Sequence, residues 1–240
     1  MNTLSAPLAN NHISIDCAVI GFDGAELKVL LVKRTGSEDG MEYHDMKLPG
    51  SLIYRDEDLD DAASRVLTEL TGLDGIGLTQ FKAYGSNNRT KNPRDVLWLE
   101  RAQKAHVERI VTIAYFALVK LDKVLEKAVE SFSAVWVPVG CVGELAFDHN
   151  QIVADAMVAM VRETENNREL LFDLLPKKFT ASQLRALHES LYGKPLDVRN
   201  FHKKIAQMPY VVPLDERQKG VAHRAARFYK FDRKLYNNIR

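Results

Sequence analysis

Two apolar runs with strand-like composition lie near the start of the chain and are separated by a turn signal. The runs are HISIDCAVIGF, residues 12–22, and ELKVLLVKR, residues 26–34. An Asp-Gly pair, Asp23 and Gly24, lies between them, and this pair favours a tight hairpin connection. The pattern predicts two strands joined by a turn.

From Leu59 onward the apolar spacing becomes that of a helix, and Gly72 stands where such a helix would end. The apolar positions that share one face are Leu59, Ala62, Ala63, Val66, Leu67 and Leu70. Further along, the runs RIVTIAYFALV (109–119) and SAVWVPV (133–139) predict strands. Asp148 is then predicted to cap a helix. The polar stretch TENNRE (164–169) predicts a connector at a domain boundary.

The C-terminal quarter has the pattern of a helix-turn-helix followed by a hairpin. Thr180 and Gln183 have capping-box spacing at the start of a helix that Gly193 closes. After a short turn, Asp197 is predicted to cap a second helix with a buried face of Val198, Phe201 and Ile205. The strands YVVPL (210–214) and RFYKF (227–231) come next. This order predicts a winged helix.

The charge distribution supports a division into two domains, which we place at residues 1–165 and 170–240. From Lys177 onward there are 15 basic and 5 acidic residues, a net charge of +10, while the remainder carries −9 although the whole chain is only +1. Such a split suggests a polyanionic partner for the basic segment. The alternative is a basic, solvated face without a partner.

The remaining compositional features indicate an intracellular protein. The chain has no long apolar run, and its start, MNTLSAPLANNH, lacks the features of a signal peptide. We therefore expect a cytoplasmic location without membrane contact. Cys17 and Cys141 lack metal-ligand spacing, and both are expected to be buried apolar residues in a reducing compartment.

The segment PGSLIYRDEDLDDAASRVLTELTGL, residues 49–73, resembles the Nudix box in register. The matching positions are Glu57, Arg65, Leu67, Glu69, Gly72 and Leu73, and Ser51 stands where the motif has glycine. Val66 and Leu70 replace two carboxylates of the motif. Divalent cations need several hard oxygen ligands, which one helix supplies at positions i, i+3 and i+4. We therefore expect neither a metal, a cofactor nor catalysis. Arg65 and Glu69 lie at positions i and i+4 of the helix, so an ion pair between them is an equal alternative to any role as metal ligands.

With its winged helix, the chain resembles the Nudix-related bacterial transcriptional regulators of the NrtR and AraR type. The resemblance covers nearly the whole chain, including LLPKKFTASQLRALHESLYG and DVRNFHKKIAQM. It implies an α+β fold, with a Nudix-like α/β/α sandwich on a mixed sheet followed by a winged helix. It also implies a homodimer that binds double-stranded operator DNA under control of ADP-ribose or a pentose sugar. The alternative is an active Nudix hydrolase with an accessory domain. The insert at 87–108 is longer than the usual family loop. Around Arg89 and Arg94 it could close over the ligand, and the alternative is a solvated loop.

The winged helix suggests a set of DNA-contacting residues. The second helix of a helix-turn-helix enters the major groove, where Arg and Asn can read G and A. The first helix can offer hydroxyl, amide and N–H groups to a phosphate. The predicted DNA-contacting residues are Thr180, Ser182, Gln183, Arg199, Asn200, Lys203, Lys204, Arg217, Lys219, His223, Arg224 and Arg227.

The predicted effector site rests on positions that resemble the lining of the Nudix cleft. An effector pocket needs a few fixed polar groups within an apolar concavity. The predicted effector residues are Arg34, Lys47, Tyr84, Tyr115 and Asp148. Tyr84 and Tyr115 are equally compatible with core aromatic residues. His149 is expected to be a surface residue at a helix start.

Overall fold

A seven-stranded mixed sheet forms the first part of the computed structural model, which describes residues 9–38, 41–103, 109–220 and 225–239. Strand β1 (Ala9–Phe22) lies at its middle, antiparallel to β2 (Leu27–Glu38). The other strands are β3 (Met41–Lys47), β4 (Gly50–Tyr54), β5 (Thr79–Tyr84), β6 (Val111–Lys120) and β7 (Ala134–Pro138). β6 is parallel to β1, whereas β3 and β7 flank β2, β4 pairs with β1, and β5 pairs with β6. The sheet is therefore mixed, as predicted.

The predicted N-terminal hairpin is confirmed, with longer strands than the apolar pattern indicated. Phe22 is paired with Leu27 at its closed end. The Asp23 carboxylate accepts hydrogen bonds from the backbone N–H groups of Ala25 at 2.8 Å and Glu26 at 2.9 Å. This side chain thereby stabilises the turn that Gly24 allows with its φ of 99°.

Helices cover both faces of the sheet because side chains alternate along β1. Ile15, Cys17 and Val19 face helix α1 (Leu59–Thr71), which ends at Gly72 with a φ of 71°, as predicted. Ala18 and Ile20 belong to the opposite core, which contains helix α4 (His149–Asn166). The layering is that of an α/β/α sandwich.

The predicted insert contains a helix that its polar composition did not reveal. Helix α2 spans Pro93–Gln103, and residues 104–108 of the insert lie outside the described ranges. A shorter helix, α3 (Lys123–Ala128), follows β6. Asp122 caps α3 by accepting from the N–H groups of Val124 and Leu125.

The connector predicted at residues 164–169 is largely helical. Helix α4 continues to Asn166, and Asn167 caps helix α5 (Arg168–Asp173) by accepting from the Glu169 N–H. The polar residues form the exposed side of a helix whose other side remains buried, as Thr164 shows at 3% exposure.

The C-terminal part is a winged helix, as predicted. Its elements are β8 (Phe179–Thr180), α6 (Ala181–Tyr192), α7 (Val198–Ala206), β9 (Val211–Arg217), β10 (Arg227–Phe231) and α8 (Arg233–Asn237). The strands form a sheet in the order β8-β10-β9. The capping box of Thr180 and Gln183 is present, and Asp197 accepts from the Asn200 N–H at 2.8 Å. Val198 is 53% exposed, so only Phe201 and Ile205 of the predicted face are buried.

One apolar core continues from the large sheet into the winged helix. Ile20 of β1 belongs to the same cluster of buried residues as Phe172 of α5 and Phe179 and Leu184 of the C-terminal unit. The rings of Phe172 and Phe231 stack at 4.3 Å. The two units are thus joined by packing as well as by the chain.

The two cysteines differ in burial. Cys17 is buried, but Cys141 is exposed, because it lies in a 3-10 turn at residues 139–141 and not within a strand. Along the described part of the chain, each helix is too short or too polar to cross a membrane.

Candidate functional site

A cleft with both charged and apolar walls opens beside β1, between β4, the insert and the start of α4. It is narrow, with a cavity of about 50 Å³. Its lining consists of charged and aromatic side chains, together with a few apolar ones: Ser14, Asp16, Lys47, Gly50, Ser51, Leu52, Arg89, Thr90, Trp98, Leu99, Ile110, Phe147 and His149.

Asp16 is a buried carboxylate at the bottom of this cleft. One of its oxygens lies 3.4 Å from His149 Nε2, and the other accepts from Arg89 Nη2 at 2.7 Å. Burial would raise the pKa of the Asp16 carboxyl, but His149 and Arg89 hold that pKa well below its usual range. A Cβ on Gly50 would lie 1.9 Å from the Asp16 carboxylate, so only glycine allows this approach.

His149 is held in place through its other ring nitrogen. Nδ1 accepts from the Leu48 backbone N–H at 2.9 Å, and the ring packs against Phe147 at 5.2 Å. Because Nδ1 accepts this hydrogen bond, Nε2 is the ring nitrogen that faces Asp16, at 3.4 Å. The side chain is buried, so the expected surface role for His149 was wrong.

Arg89 brings the insert into the cleft. Its guanidinium pairs with both Asp16 and Asp148, and only 4% of its side chain is exposed. Asp148 does precede α4, but its carboxylate makes no capping hydrogen bond because it pairs with Arg89. The predicted helix cap is thus an ion-pair partner.

Lys47 supplies a second cation to the cleft. Its Nζ donates to the Gly50 carbonyl at 2.8 Å and the Leu48 carbonyl at 3.2 Å, and it lies 5.5 Å from the centre of the Trp98 ring. Burial lowers the pKa of the Lys47 ammonium to about 8, against the opposing effect of Asp16. Lys47 thus has partners that orient it towards the cleft.

Arg34 fixes the insert helix over this region. It is 2% exposed, and its guanidinium pairs with Asp45 on β3 and with Asp95 on α2, the latter at 2.6 Å. Asp95 also accepts from the Phe147 N–H at 3.0 Å. The guanidinium lies within 5.6 Å of the Trp98 ring centre. A buried guanidinium requires such partners, so the ion pair between Arg34 and Asp95 holds α2 against the sheet.

The five predicted effector residues divide into those near the cleft and those away from it. Lys47 lines it, whereas Arg34 and Asp148 hold the insert beside it. Tyr84 is not part of the cleft lining, and its hydroxyl donates to Asp155 at 2.9 Å. Tyr115 lies in the core on the α1 side of the sheet and donates to Asp60 at 2.6 Å. The core interpretation was therefore right for both tyrosines.

Asp16 and Trp98 were missed by the sequence analysis. Asp16 is the one charged residue in the run ISIDCAVIGF, and a lone carboxylate within an apolar strand was an available signal. Trp98 had no comparable signal, because a tryptophan in a polar insert indicates nothing about which surface it covers.

The helix that resembles the Nudix box has its remaining carboxylates in ion pairs. Glu57 accepts two hydrogen bonds from Arg65, at 2.6 and 2.8 Å, and Glu69 accepts a third at 3.1 Å. The Arg65 hydrogen bond lowers the pKa of Glu57. Val66 is fully buried, and Leu70 packs against the core. No group of three His, Cys, Asp or Glu side chains that could hold a metal ion occurs among the described residues.

Helix α7 presents all four of its predicted DNA-contacting side chains to solvent. Arg199, Asn200, Lys203 and Lys204 are all exposed. Ser182 on α6 is exposed as well. Thr180 is 3% exposed, and its hydroxyl accepts the Gln183 N–H at 3.2 Å. The Oε1 atom of Gln183 accepts from the Thr180 N–H in the same capping box, at 2.9 Å. The phosphate contacts expected of Thr180 and Gln183 stay predictions.

The wing between β9 and β10 carries further basic residues. Arg217, Lys219 and Arg227 are exposed. Arg227 also stabilises the hairpin by donating to the Leu214 carbonyl at 2.8 Å. The predicted His223 and Arg224 lie outside the described residues. The exposed cations of α7 and the wing belong to one basic unit.

Two family models match the two parts of the chain. Residues 10–156 match the model described as the NUDIX domain. Residues 171–231 match the model described as the NrtR DNA-binding winged helix domain.

Individual relatives extend over both parts. The ADPR responsive transcriptional repressor NtrR of Acinetobacter baylyi is 26% identical over 223 residues, 91% of this chain and 81% of the relative. The crystal structure of Shewanella oneidensis NrtR complexed with a 27mer DNA has a TM-score of 0.61 at 22% identity, covering 94% of this chain and 95% of that one. A MutT/nudix family protein from Enterococcus faecalis has a TM-score of 0.59 at 20% identity, covering 97% and 89%. The two structures share the fold.

Replacing Asp95 with alanine tests the attachment of α2. The Asp95→Ala variant leaves part of the buried Arg34 charge unpaired, so the free energy of unfolding should fall by about 3 kcal/mol. Urea denaturation measures this change, and hydrogen exchange within residues 93–103 should become faster. Asp61→Ala, at an exposed position of α1, is the matched control and should change stability by less than about 0.5 kcal/mol. Equal stability of the two variants would contradict the role given to Arg34.

Proposed function

We propose that this protein, which belongs to the Nudix family, is a transcriptional regulator controlled by a small molecule. The match of residues 171–231 to the NrtR winged helix supports this proposal. The A. baylyi relative, an ADPR responsive transcriptional repressor, supports this proposal. In the proposed arrangement the cleft binds the effector, and the winged helix binds operator DNA.

One observation carries the proposal. Helix α7, directly after a tight turn from α6, exposes Arg199 and Asn200 at its N-terminal end. In a helix-turn-helix this end approaches the base edges of the major groove. The net charge of +10 from Lys177 onward favours a polyanion over a neutral partner.

We infer two domains, 1–165 for sensing and 170–240 for DNA binding, in a cytoplasmic homodimer. The interval between the two family-model matches, residues 157–170, supports this boundary. Regulators of this geometry bind two half-sites one helical turn apart, about 34 Å, which requires two copies of the recognition helix.

The proposed DNA contacts follow the exposed side chains. Arg199 and Asn200 read bases, while Lys203, Ser182 and the wing residues Arg217, Lys219 and Arg227 contact phosphates. Arg224 and His223 belong to the same proposed wing contact. Lys204 lies on the same helix but borders a different cavity.

We further propose that the Nudix helix does not support hydrolysis. A divalent ion at this helix would need carboxylates that are free to coordinate it. Glu57 and Glu69 both pair with Arg65, and positions 66 and 70 hold apolar side chains that face the protein interior. These residues do not fit a catalytic magnesium ion.

ADP-ribose is the effector we favour, on the strength of the named response of the A. baylyi relative. The narrow cleft favours a pentose as the second candidate. Its cations Arg89 and Lys47 are already near Asp16, and Trp98 offers a flat apolar surface for a sugar ring. Binding of ADP-ribose would require α2 to move away from β1, whereas a pentose requires less opening.

Operator binding should depend strongly on salt and on Arg199. With a duplex selected from a random library, log K should fall with log salt at a slope of about −0.9 per phosphate contacted. Arg199→Ala should cost about 1–3 kcal/mol on the selected duplex and less on a scrambled one, because it removes a base contact. Fluorescence anisotropy measures both quantities.

Arg55→Ala is the control for the loss of one positive charge, because Arg55 is exposed on the Nudix domain. It should leave the affinity and the salt slope unchanged. A flat salt response of the native protein, or equal losses for Arg55→Ala and Arg199→Ala, would rule out the proposed interface.

Incubation with ADP-ribose or nucleoside triphosphates and Mg²⁺ or Mn²⁺ should release no product. The reason is the absence of free carboxylates on α1 at positions 66 and 70. Chromatographic detection of AMP or phosphate is the measurement. A turnover near 1 s⁻¹, which is ordinary for an enzyme, would show that the protein is a hydrolase.

The effector should raise the melting temperature and change operator affinity. A ligand that binds only the folded state stabilises it, and reciprocal coupling between two sites is typically about 1–3 kcal/mol. Lys47→Ala should lose the response to ADP-ribose or a pentose while keeping its effector-free DNA affinity. Lys33→Ala, at an exposed position of β2, should respond as the native protein does. If a bound ligand leaves operator affinity unchanged, the cleft does not control DNA binding.

A further inference from the structure

A second cavity lies where the end of α4 and α5 meet the helices of the winged helix. It is larger than the cleft, with a volume of about 340 Å³. Its lining includes Leu171 and Phe172 from α5 and Met208 from the segment after α7. These three side chains are buried, so they form an apolar floor.

Two cations stand at the rim of this cavity. Arg168 comes from the start of α5 and Lys204 from α7, and both are exposed. Arg168 donates to the Tyr210 hydroxyl at 2.8 Å, and among the described residues neither cation is in an ion pair. Glu165 is the one carboxylate in the lining, so the rim has a net positive charge.

The wall of the cavity contains a buried histidine without polar partners. His188 is 6% exposed, and among the described residues neither of its ring nitrogens has a hydrogen-bond partner. Its ring stacks on Tyr192 at 5.8 Å and meets the edge of Phe201 at 5.5 Å. Burial, together with the charges of Lys204 and Arg168, lowers the pKa of His188 to about 4. The ring is therefore neutral at physiological pH and adds no charge to the rim.

An apolar floor below a cationic rim is complementary to an amphipathic anion. Buried polar atoms without partners are uncommon in native proteins, and they mark places where a ligand or an ordered water completes the structure. The rim offers charge-assisted hydrogen bonds, which are stronger than those between neutral groups. The floor offers an apolar surface that a fully polar anion would leave unused.

We propose that this cavity binds a small organic carboxylate with an apolar body. The carboxylate lies between Arg168 and Lys204, and the apolar body lies on Leu171, Phe172 and Met208. This site is separate from the effector cleft, and its existence does not depend on the proposed function. Because Lys204 belongs to α7, a bound carboxylate would link the α4–α5 connection to the helix that we assign to DNA.

Calorimetric titration of the full-length protein with hexanoate, at low salt and neutral pH without DNA, tests the site. Hexanoate should bind, and hexanol should bind at least about ten-fold more weakly, because it lacks the charge that the rim recognises. Acetate should also bind more weakly than hexanoate, because it has almost no apolar body. The absence of binding heat with hexanoate at concentrations up to about 10 mM, ten-fold above a Kd of 1 mM, would overturn the proposal.

Variants at the rim distinguish this cavity from the rest of the basic surface. Arg168→Gln and Lys204→Gln should each weaken hexanoate binding about ten-fold, the loss expected for one charged hydrogen bond. Lys203→Gln removes the same charge one residue away on α7, outside the lining, and should bind hexanoate normally. Tyr210→Phe removes the hydrogen-bond partner of Arg168 but keeps the cation, so this variant should also bind hexanoate.

Two outcomes of the variant series would overturn the site. One is an equal loss for Lys203→Gln and Lys204→Gln, which would indicate general attraction to α7. The other is hexanoate binding that survives both Arg168→Gln and Lys204→Gln. Lys204 is exposed and forms no ion pair within the described ranges, so Lys204→Gln should leave the melting temperature unchanged. This variant therefore tests the site even if Arg168→Gln does not fold.

Discussion

Compensation of buried charge is the constraint on which the cleft of this protein depends. Arg34 and Arg89 are almost fully buried, and each guanidinium is held by two carboxylates from different parts of the chain. Removing such a group from water is costly unless it is paired and hydrogen-bonded. Asp95 therefore has to lie beside β2 and Asp148 beside Arg89, and both requirements bring the insert against the sheet. The narrowness of the cleft follows from these pairs.

Ion pairs also hold the helix that resembles the Nudix box. Arg65 spans from Glu57 to Glu69 and also donates to the Leu52 carbonyl at 3.2 Å, so it links the strand β4, the following turn and α1. Val66 and Leu70 turn towards the apolar side. Groups that could ligate an ion in the Nudix motif serve here to hold the helix in place, while the cleft on the other face of the sheet keeps its polar lining. Helix α1 and the cleft therefore lie on different faces of the sheet, because Cys17 and Asp16 point to opposite sides of β1.

Packing between the two units gives the proposed sensor a physical route to the DNA-binding surface. The core cluster that contains Ile20 also contains Phe172, Leu184 and Phe201. Close-packed interiors transmit displacements because they tolerate few voids. The second cavity lies within this junction, next to the end of α4 whose first residue, His149, borders the cleft. Helix α4 thus spans the distance between the two proposed ligand sites.

The sequence by itself determined the elements whose signals are local. The hairpin at Asp23-Gly24, the end of α1 at Gly72, the capping box at Thr180 and the cap at Asp197 each depend on residues a few positions apart, and the structure has all four. Only the tertiary structure decided which side chains form the cleft. Asp16 and Arg89 are 73 positions apart, and Leu48 and His149 are 101 apart. Tyr115 and Asp16 lie on opposite faces of the sheet because of the register of β6 against β1, which no local pattern specifies. The polar insert concealed a helix for the same reason: α2 is anchored by Arg34, a partner from a distant strand, and not by a continuous apolar face of its own.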